Sequence, residues 1–225
     1  EFGAAPDAAW YARLARVMRE AYADRLRGLG DAEPRAAESC TTHLTVCDRE
    51  GMMVAMTTTL LSSMGSRMVL PRSGVLMNNG VMWFDPQPGT PNAIAPGKRP
   101  LTNMCPVIAA RGGAPEIAAG ASGGRRIMAS VFQLLSFVAD FGMDPEEAAH
   151  HPRIDVSGPE GVTADRRLDA ATLAALEAEA PLTVVEHAAM PINFACPNLI
   201  RRDAEGQVVG ISDAASPWSA AVAAG

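Results

Sequence analysis

No Cys-x-x-Cys pair occurs in this sequence. Its four cysteines, Cys40, Cys47, Cys105 and Cys196, sit at spacings that fit neither a zinc site nor a disulfide framework. Buried or incidental thiols are the simpler reading, and they lean toward a reducing, cytoplasmic location. His150-His151 has no acidic or cysteine ligand at a metal-site spacing, so no metal and no cofactor are expected. Long apolar runs are missing too: nothing reaches the roughly 18 residues of a membrane helix, so no membrane partner is expected. Basic runs are also absent, and a net charge of −6 argues against a nucleic-acid partner. No signal peptide stands at Glu1, where Glu1-Phe2 fits a cloning remnant. Internal repeats and low-complexity segments are lacking as well.

What remains is ordinary for a globular domain. The chain has 225 residues, 48% hydrophobic and 20% charged. Residues 8–29 read as a helix, with Leu14, Val17, Met18, Tyr22 and Leu26 at three- and four-residue steps, ended by Gly28 and Gly30. A polar link spans 31–39. From Thr41 the period becomes two: 42–48 and 53–60 read as paired strands turning at Arg49-Glu50-Gly51. Short strands at 75–77 and 82–84 are expected to flank an Asn78-Asn79-Gly80 turn. Residues 85–99, rich in proline and glycine, form a long loop. A hairpin follows over 107–110 and 116–119, then a helix over 125–141. Asp144 with Pro145, and Asp169, cap two shorter helices, to about 150 and 179. A strand at 182–186 and a hairpin over 198–202 and 207–211 complete the chain. Helices packed on an antiparallel sandwich fit this order better than alternating βαβ units: an α+β layered arrangement.

Three stretches carry chemistry. The first is Cys40-Thr41-Thr42-His43, opening a strand. A hydroxyl is a poor nucleophile until a base takes its proton, but an N-terminal threonine can use its own α-amine, with a pKa near 8, as that base. Strand preference alone also explains a threonine pair. The second is Gly120-Ala121-Ser122-Gly123-Gly124 before a helix. Its backbone N–H groups can face a negative oxygen, as in an oxyanion hole, or can simply form a tight turn; a phosphate loop would need the missing GK[ST] ending. The third is 97–104, where Lys98, Arg99, Thr102 and Asn103 can meet a substrate carboxylate or only solvent.

Taken in order, Thr41-Thr42-His43-x-x-Val46-x-Asp48, Thr57-Thr58-Thr59, Asn78-Asn79, Lys98-Arg99-Pro100-Leu101, Gly120 to Gly124 and Pro152-Arg153 resemble the small catalytic subunit of γ-glutamyltranspeptidases, over about 41–213. Upstream, Ala21-Tyr22-Ala23-Asp24-Arg25 and Leu29-Gly30-Asp31 resemble the end of the family's large subunit. The resemblance implies an Ntn-hydrolase αββα sandwich, with 1–40 a large-subunit-like segment and linker and 41–225 the catalytic small-subunit-like domain. It implies autocleavage between Cys40 and Thr41, with Thr41 as nucleophile and Thr59 orienting it. Gly123 and Gly124 are then the oxyanion hole, and Thr102 and Asn103 stand where the family holds a substrate carboxylate. The implied partners are a small-molecule amide or acyl substrate and the large-subunit polypeptide of the same precursor.

Departures from the family pattern sharpen the expectation. The resemblance puts ammonium acceptors at three places where this chain has Leu61, Gly80 and Trp83. An ammonium buried there would lose solvation without compensation, so the acyl donor is not expected to be a standard γ-glutamyl compound. The pattern is similar to γ-glutamyltransferase-like relatives near the cephalosporin acylases. One alternative is a biosynthetic homologue that cleaves a carbon–carbon bond in an alkyl-proline type natural-product pathway. Another is a non-catalytic binding homologue.

Overall fold

The computed structural model describes residues 3–29, 40–158, 161–189 and 192–223. The expected link at 31–39 and the helix-ending Gly30 lie outside the described residues. In chain order the elements are helix α1 (Ala8–Leu29), strands β1 (Cys40–Cys47) and β2 (Met53–Leu61), and a 3-10 turn (Gly80–Trp83). Next come β3 (Val107–Arg111), β4 (Ala114–Ser122), α2 (Arg126–Ala139), α3 (Pro145–His150), β5 (Ile154–Asp155) and β6 (Val162–Asp165). Helix α4 (Ala170–Glu179), β7 (Leu182–Val185), β8 (Cys196–Arg202) and β9 (Val208–Ser212) complete the list.

The central sheet has the order β3-β4-β8-β9, antiparallel throughout. Side chains alternate along β4, and each face has its own layer. Ile117, Ala119 and Ala121 are buried against α2, packing with Leu134, Phe137 and Val131. Gly120, of opposite parity, meets His43 of the β1–β2 hairpin, which stacks on β4 and β8 as a second sheet. A separate core joins α1 and α4 to the small sheet β5-β6-β7, through Tyr11, Leu14, Ala15, Tyr22, Ile154, Val162 and Leu176. The Gln133 amide links that sheet to α2: it donates to the Ile154 carbonyl and accepts from the Ile154 N–H, at 2.8 and 2.9 Å.

Helix starts form as expected. The Asp144 and Asp169 carboxylates accept from the N–H groups of Glu147 and Thr172, each such cap contributing about 1 kcal/mol. Four expectations change. Val17 is 53% exposed, because the buried stripe of α1 runs through Tyr11, Leu14, Ala15 and Tyr22. Residues 82–84 belong to a 3-10 turn and its exit, and 75–77 hold only an isolated bridge between Val69 and Leu76. The Asn78 side chain accepts from the Gly80 N–H at 2.9 Å, which tightens the chain into that turn. Strands β5 and β6 are too short for a period-two signal. Finally, β6 and β7 pair in parallel with α4 between them, so one βαβ unit does occur.

Candidate active site

The hairpin register sets Thr41 opposite Thr59 and His43 opposite Thr57, with an irregularity between Cys40 and Thr41. Side chains directly opposite on one sheet face lie close enough to bond. The Thr41 and Thr59 hydroxyl oxygens are 3.0 Å apart. Thr59 Oγ1 also donates to the Cys40 carbonyl at 3.1 Å and accepts from the Leu61 N–H at 2.9 Å. A hydroxyl has one proton. With the Thr59 proton on the Cys40 carbonyl, the Thr41 hydroxyl is the donor toward Thr59. One oxygen therefore touches the hydroxyl of Thr41 and the carbonyl of the bond before it.

Leu61 ends β2 with φ 71, in the left-handed region. Asn79 ties the 3-10 turn to this end of the strand. Its N–H donates to the Leu60 carbonyl at 3.1 Å, its Oδ1 accepts from the Ser62 N–H at 3.1 Å, and its Nδ2 donates to Ser62 Oγ at 2.8 Å. Residues three apart eclipse in a 3-10 turn, and the Trp83 ring accordingly lies on Gly80. A Cβ at Gly80 would sit 3.1 Å from Trp83 Cζ3. Asn92, buried in the long loop, supports Trp83 from behind: its Nδ2 donates to the Trp83 carbonyl at 2.6 Å, and its Oδ1 accepts from the Leu101 N–H at 3.0 Å.

His43 is the interlayer contact under this hairpin. Its Nδ1 and Thr57 Oγ1 are 2.7 Å apart, and any Cβ on Gly120 would overlap its ring. Burial pushes its pKa down from 6.5 to about 4, so the ring is neutral at pH 7. Asn198 Nδ2 donates to the His43 carbonyl at 2.8 Å and its Oδ1 accepts from Thr45 Oγ1 at 3.0 Å. Thr41 is two residues from His43 along β1, and Gly123 follows the end of β4, three residues after Gly120.

Gly123 and Gly124 turn the chain from β4 into α2 with φ 140 and 64. A Cβ at Gly123 would come within 2.7 Å of Ala195 Cα. Arg126 clasps the turn: its guanidinium donates to the Gly123 carbonyl at 3.4 Å and also to the Ile192 carbonyl.

The third stretch divides. Lys98 Nζ donates to the Pro91 and Ala93 carbonyls at 3.3 and 3.2 Å, so it braces its own loop. Thr102 Oγ1 accepts from the Met104 N–H at 3.2 Å, and Asn103 Oδ1 accepts from Arg25 Nη2 at 2.7 Å. Thr102 and Arg25 line a groove of about 520 Å³ with Ala21, Asp24, Leu101 and Cys105. Sequence reading missed Arg25 as a site neighbour. The signal was present: it continues the buried stripe of α1 after Tyr22, and a buried guanidinium needs partners.

Arg153, from the Pro152-Arg153 pair, is a strut. Its Nη2 lies 2.6 Å from Asp213 Oδ2, both side chains being buried. Asp213 Oδ1 also meets His187 Nε2 at 3.0 Å. Burial pushes the Asp213 carboxyl up, but the His187 hydrogen bond and the Arg153 charge outweigh it and hold the pKa below the usual range.

Comparisons with known proteins agree with this architecture. The family model described as "Gamma-glutamyltranspeptidase" matches residues 7–223. The chain belongs to the γ-glutamyltranspeptidase family. The glutathione hydrolase proenzyme of Escherichia coli (strain K12) is 32% identical over 184 residues, 77% of this chain and 31% of that protein. The acylase ACY 1 proenzyme of Pseudomonas sp. (strain SE83) is 36% identical over 154 residues, 64% of this chain and 28% of that protein. The chain thus spans less than a third of the length of these relatives. The γ-glutamyltranspeptidase from Pseudomonas nitroreducens, solved with L-DON, matches with TM-score 0.66 at 28% identity, over 81% of this chain and 100% of that one. The cephalosporin acylase from Bacillus halodurans matches in fold with TM-score 0.77 at 21% identity, over 93% of this chain and 44% of that one. The fold is the layered α+β sandwich of the Ntn hydrolases.

Proposed function

We propose that this chain carries the catalytic half of a self-processing acyl hydrolase or acyltransferase, with Thr41 as nucleophile. The observation that carries the reading is Thr59 Oγ1, within 3.1 Å of both the Thr41 hydroxyl and the Cys40 carbonyl. In the uncut chain, Thr41 Oγ1 attacks the Cys40 carbonyl carbon, passing its proton toward Thr59. Thr59 polarises the carbonyl oxygen. The Cys40–Thr41 C–N bond breaks as its nitrogen takes a proton, leaving an ester that water hydrolyses. Thr41 then has a free α-amine, which serves as the base for attack on an acyl donor. Gly123 and Gly124 supply N–H groups to the developing oxyanion, and Arg126 and Ala195 hold that turn in shape. Water or an acceptor amine releases the acyl group. Thr102 and Asn103, with Leu61, Gly80 and Trp83, form the substrate surround.

The proenzyme names of the relatives support a second polypeptide cut from the same precursor. So does the outer face of the β1–β2 hairpin, where Val46, Val54 and Met56 are 50%, 44% and 48% exposed. That large-subunit polypeptide is the proposed partner. Rapid quenching of the processed protein with a p-nitroanilide acyl donor tests the acyl-enzyme. A mass increment equal to the acyl group is expected on the peptide that begins at Thr41. An increment elsewhere, or turnover retained by Thr41→Ala, would overturn the assignment.

A further inference from the structure

Near its end, α1 reaches two loops of the rest of the chain. Tyr22 is buried, and its hydroxyl donates to the Arg125 carbonyl at 2.6 Å, across 103 positions of sequence. Arg25, three residues on and so on the same helix face, donates through Nη2 to Asn103 Oδ1 at 2.7 Å. Packing alone does not ask for the phenol, because phenylalanine would fill the same place in the core of α1, α4 and the small sheet. A buried hydroxyl costs free energy unless it is bonded, so this one is tolerated through its bond to Arg125. Burial also pushes the Tyr22 pKa well above its usual value, so the phenol keeps the proton it donates.

Arg125 stands between Gly124 and the start of α2. Three consecutive carbonyls of this turn are therefore held. Gly123 accepts from the Arg126 guanidinium at 3.4 Å, Gly124 from the Ile127 N–H at 3.2 Å, and Arg125 from Tyr22. A peptide unit is planar, so fixing a carbonyl also fixes the N–H of the next residue. Glycine gives a turn little stiffness of its own, and Gly123 and Gly124 sit at φ 140 and 64. Arg126 and Ile127 are local fasteners, from the first turn of α2 itself. Tyr22 instead ties the exit of the turn to a different layer.

Tyr22 also lies upstream of the proposed cut. Cleavage between Cys40 and Thr41 leaves it on a different polypeptide from the turn it holds. The seat of α1 does not depend on that link: Tyr11, Leu14 and Ala15 are buried in the core, and the Tyr11 hydroxyl donates to the Pro152 carbonyl at 2.7 Å. We infer that Tyr22 is a positioning residue for acyl transfer, whose hydroxyl, from the polypeptide upstream of the cut, fixes the exit of the Gly123-Gly124 turn and with it the N–H groups offered to the oxyanion. This rests on the assignment of that turn as the oxyanion hole. It also separates the two reactions of Thr41. Self-cleavage draws its polarising bond from Thr59 on the β1–β2 hairpin, whereas acyl transfer draws on the turn.

The test compares two variants of the purified full-length protein. Tyr22→Phe keeps the ring and removes the hydroxyl. Tyr11→Phe removes an equivalent bond on the same helix, to a carbonyl outside the turn. With a p-nitroanilide acyl donor that the wild type turns over, Tyr22→Phe is expected to lower kcat about 10-fold and leave KM within about 2-fold. Its self-cleavage, followed by gel densitometry on freshly translated precursor, is expected to keep the wild-type rate. Tyr11→Phe is expected to keep the wild-type kcat while losing as much Tm as Tyr22→Phe. Three results would overturn the inference: a Tyr22→Phe variant with wild-type kcat, self-cleavage and turnover slowed alike in that variant, or a Tyr11→Phe variant that loses kcat to the same extent. The last two would make α1 a general brace. Failure of the oxyanion assignment looks different: Gly123→Ala would keep wild-type turnover.

Discussion

Acid should loosen the contact between the two sheets, and His43 should carry a definable share of the effect. The ring is buried over Gly120, with Thr57 Oγ1 at Nδ1, and among the described residues its buried Nε2 has no hydrogen-bond partner. Burial strips an imidazolium of its water, and that desolvation holds the folded pKa near 4 against 6.5 in a free chain. Between those values the unfolded chain binds more protons than the folded one, so stability rises with pH across this window. The contribution is fully present above about pH 6.5 and is lost as pH falls toward 4. Its ceiling is about 3 kcal/mol, of which about 2.5 is gone by pH 4.5. Carboxylates titrate over the same range, so the assay must subtract them. Urea unfolding of wild type and His43→Gln at pH 7.5 and 4.5 does so, because the variant keeps every carboxylate and has no imidazole at this position. Wild type should lose about 2 kcal/mol more than His43→Gln. Equal losses would refute the argument and mean that the ring is hydrated or accepts its proton without penalty.

Three further outcomes follow from the same geometry. Thr59→Val keeps the shape and removes the oxygen shared by Thr41, Cys40 and Leu61; self-cleavage and acyl transfer should each slow by on the order of 100-fold, read by gel densitometry and by p-nitroaniline release. Thr59→Ser should recover most of both. Gly123→Ala forces a Cβ against Ala195 at φ 140; turnover should fall at least about 100-fold by the same release assay, with Tm lowered by several degrees. Asp213→Asn leaves buried Arg153 without its counter-charge and should destabilise the fold by about 3–5 kcal/mol in urea unfolding, whereas replacing both residues with apolar ones should be milder.

Local structure was legible where one pattern dominated. Alternation from Thr41 gave the β1–β2 hairpin, and the Asp144 and Asp169 caps located two helix starts. The Thr41–Thr59 pairing follows from the hairpin register alone. The 3-10 turn at Gly80 was not legible, because an Asn-Asn-Gly run signals a turn without saying which, and the Asn78 and Asn79 side chains decide it. Strands β5 and β6 escaped because very short strands held by Gln133 and by parallel pairing leave no periodic trace. Arg25 was overlooked because an arginine on a helix is usually solvated, and only its place on the buried stripe says otherwise. The strain at Leu61 is invisible in sequence: leucine is unremarkable until its φ is known. The two carbonyls that Lys98 braces, Pro91 and Ala93, leave no mark in sequence, because the fold of the loop brings them to it.

The central claim is that the chain makes its own nucleophile at Thr41. Denaturing mass spectrometry of the purified full-length protein tests it most directly. The account predicts two polypeptides, the second beginning at Thr41, and a single intact chain for Thr41→Ala. An uncut wild type, or a cut at another bond that persists in Thr41→Ala, would contradict it.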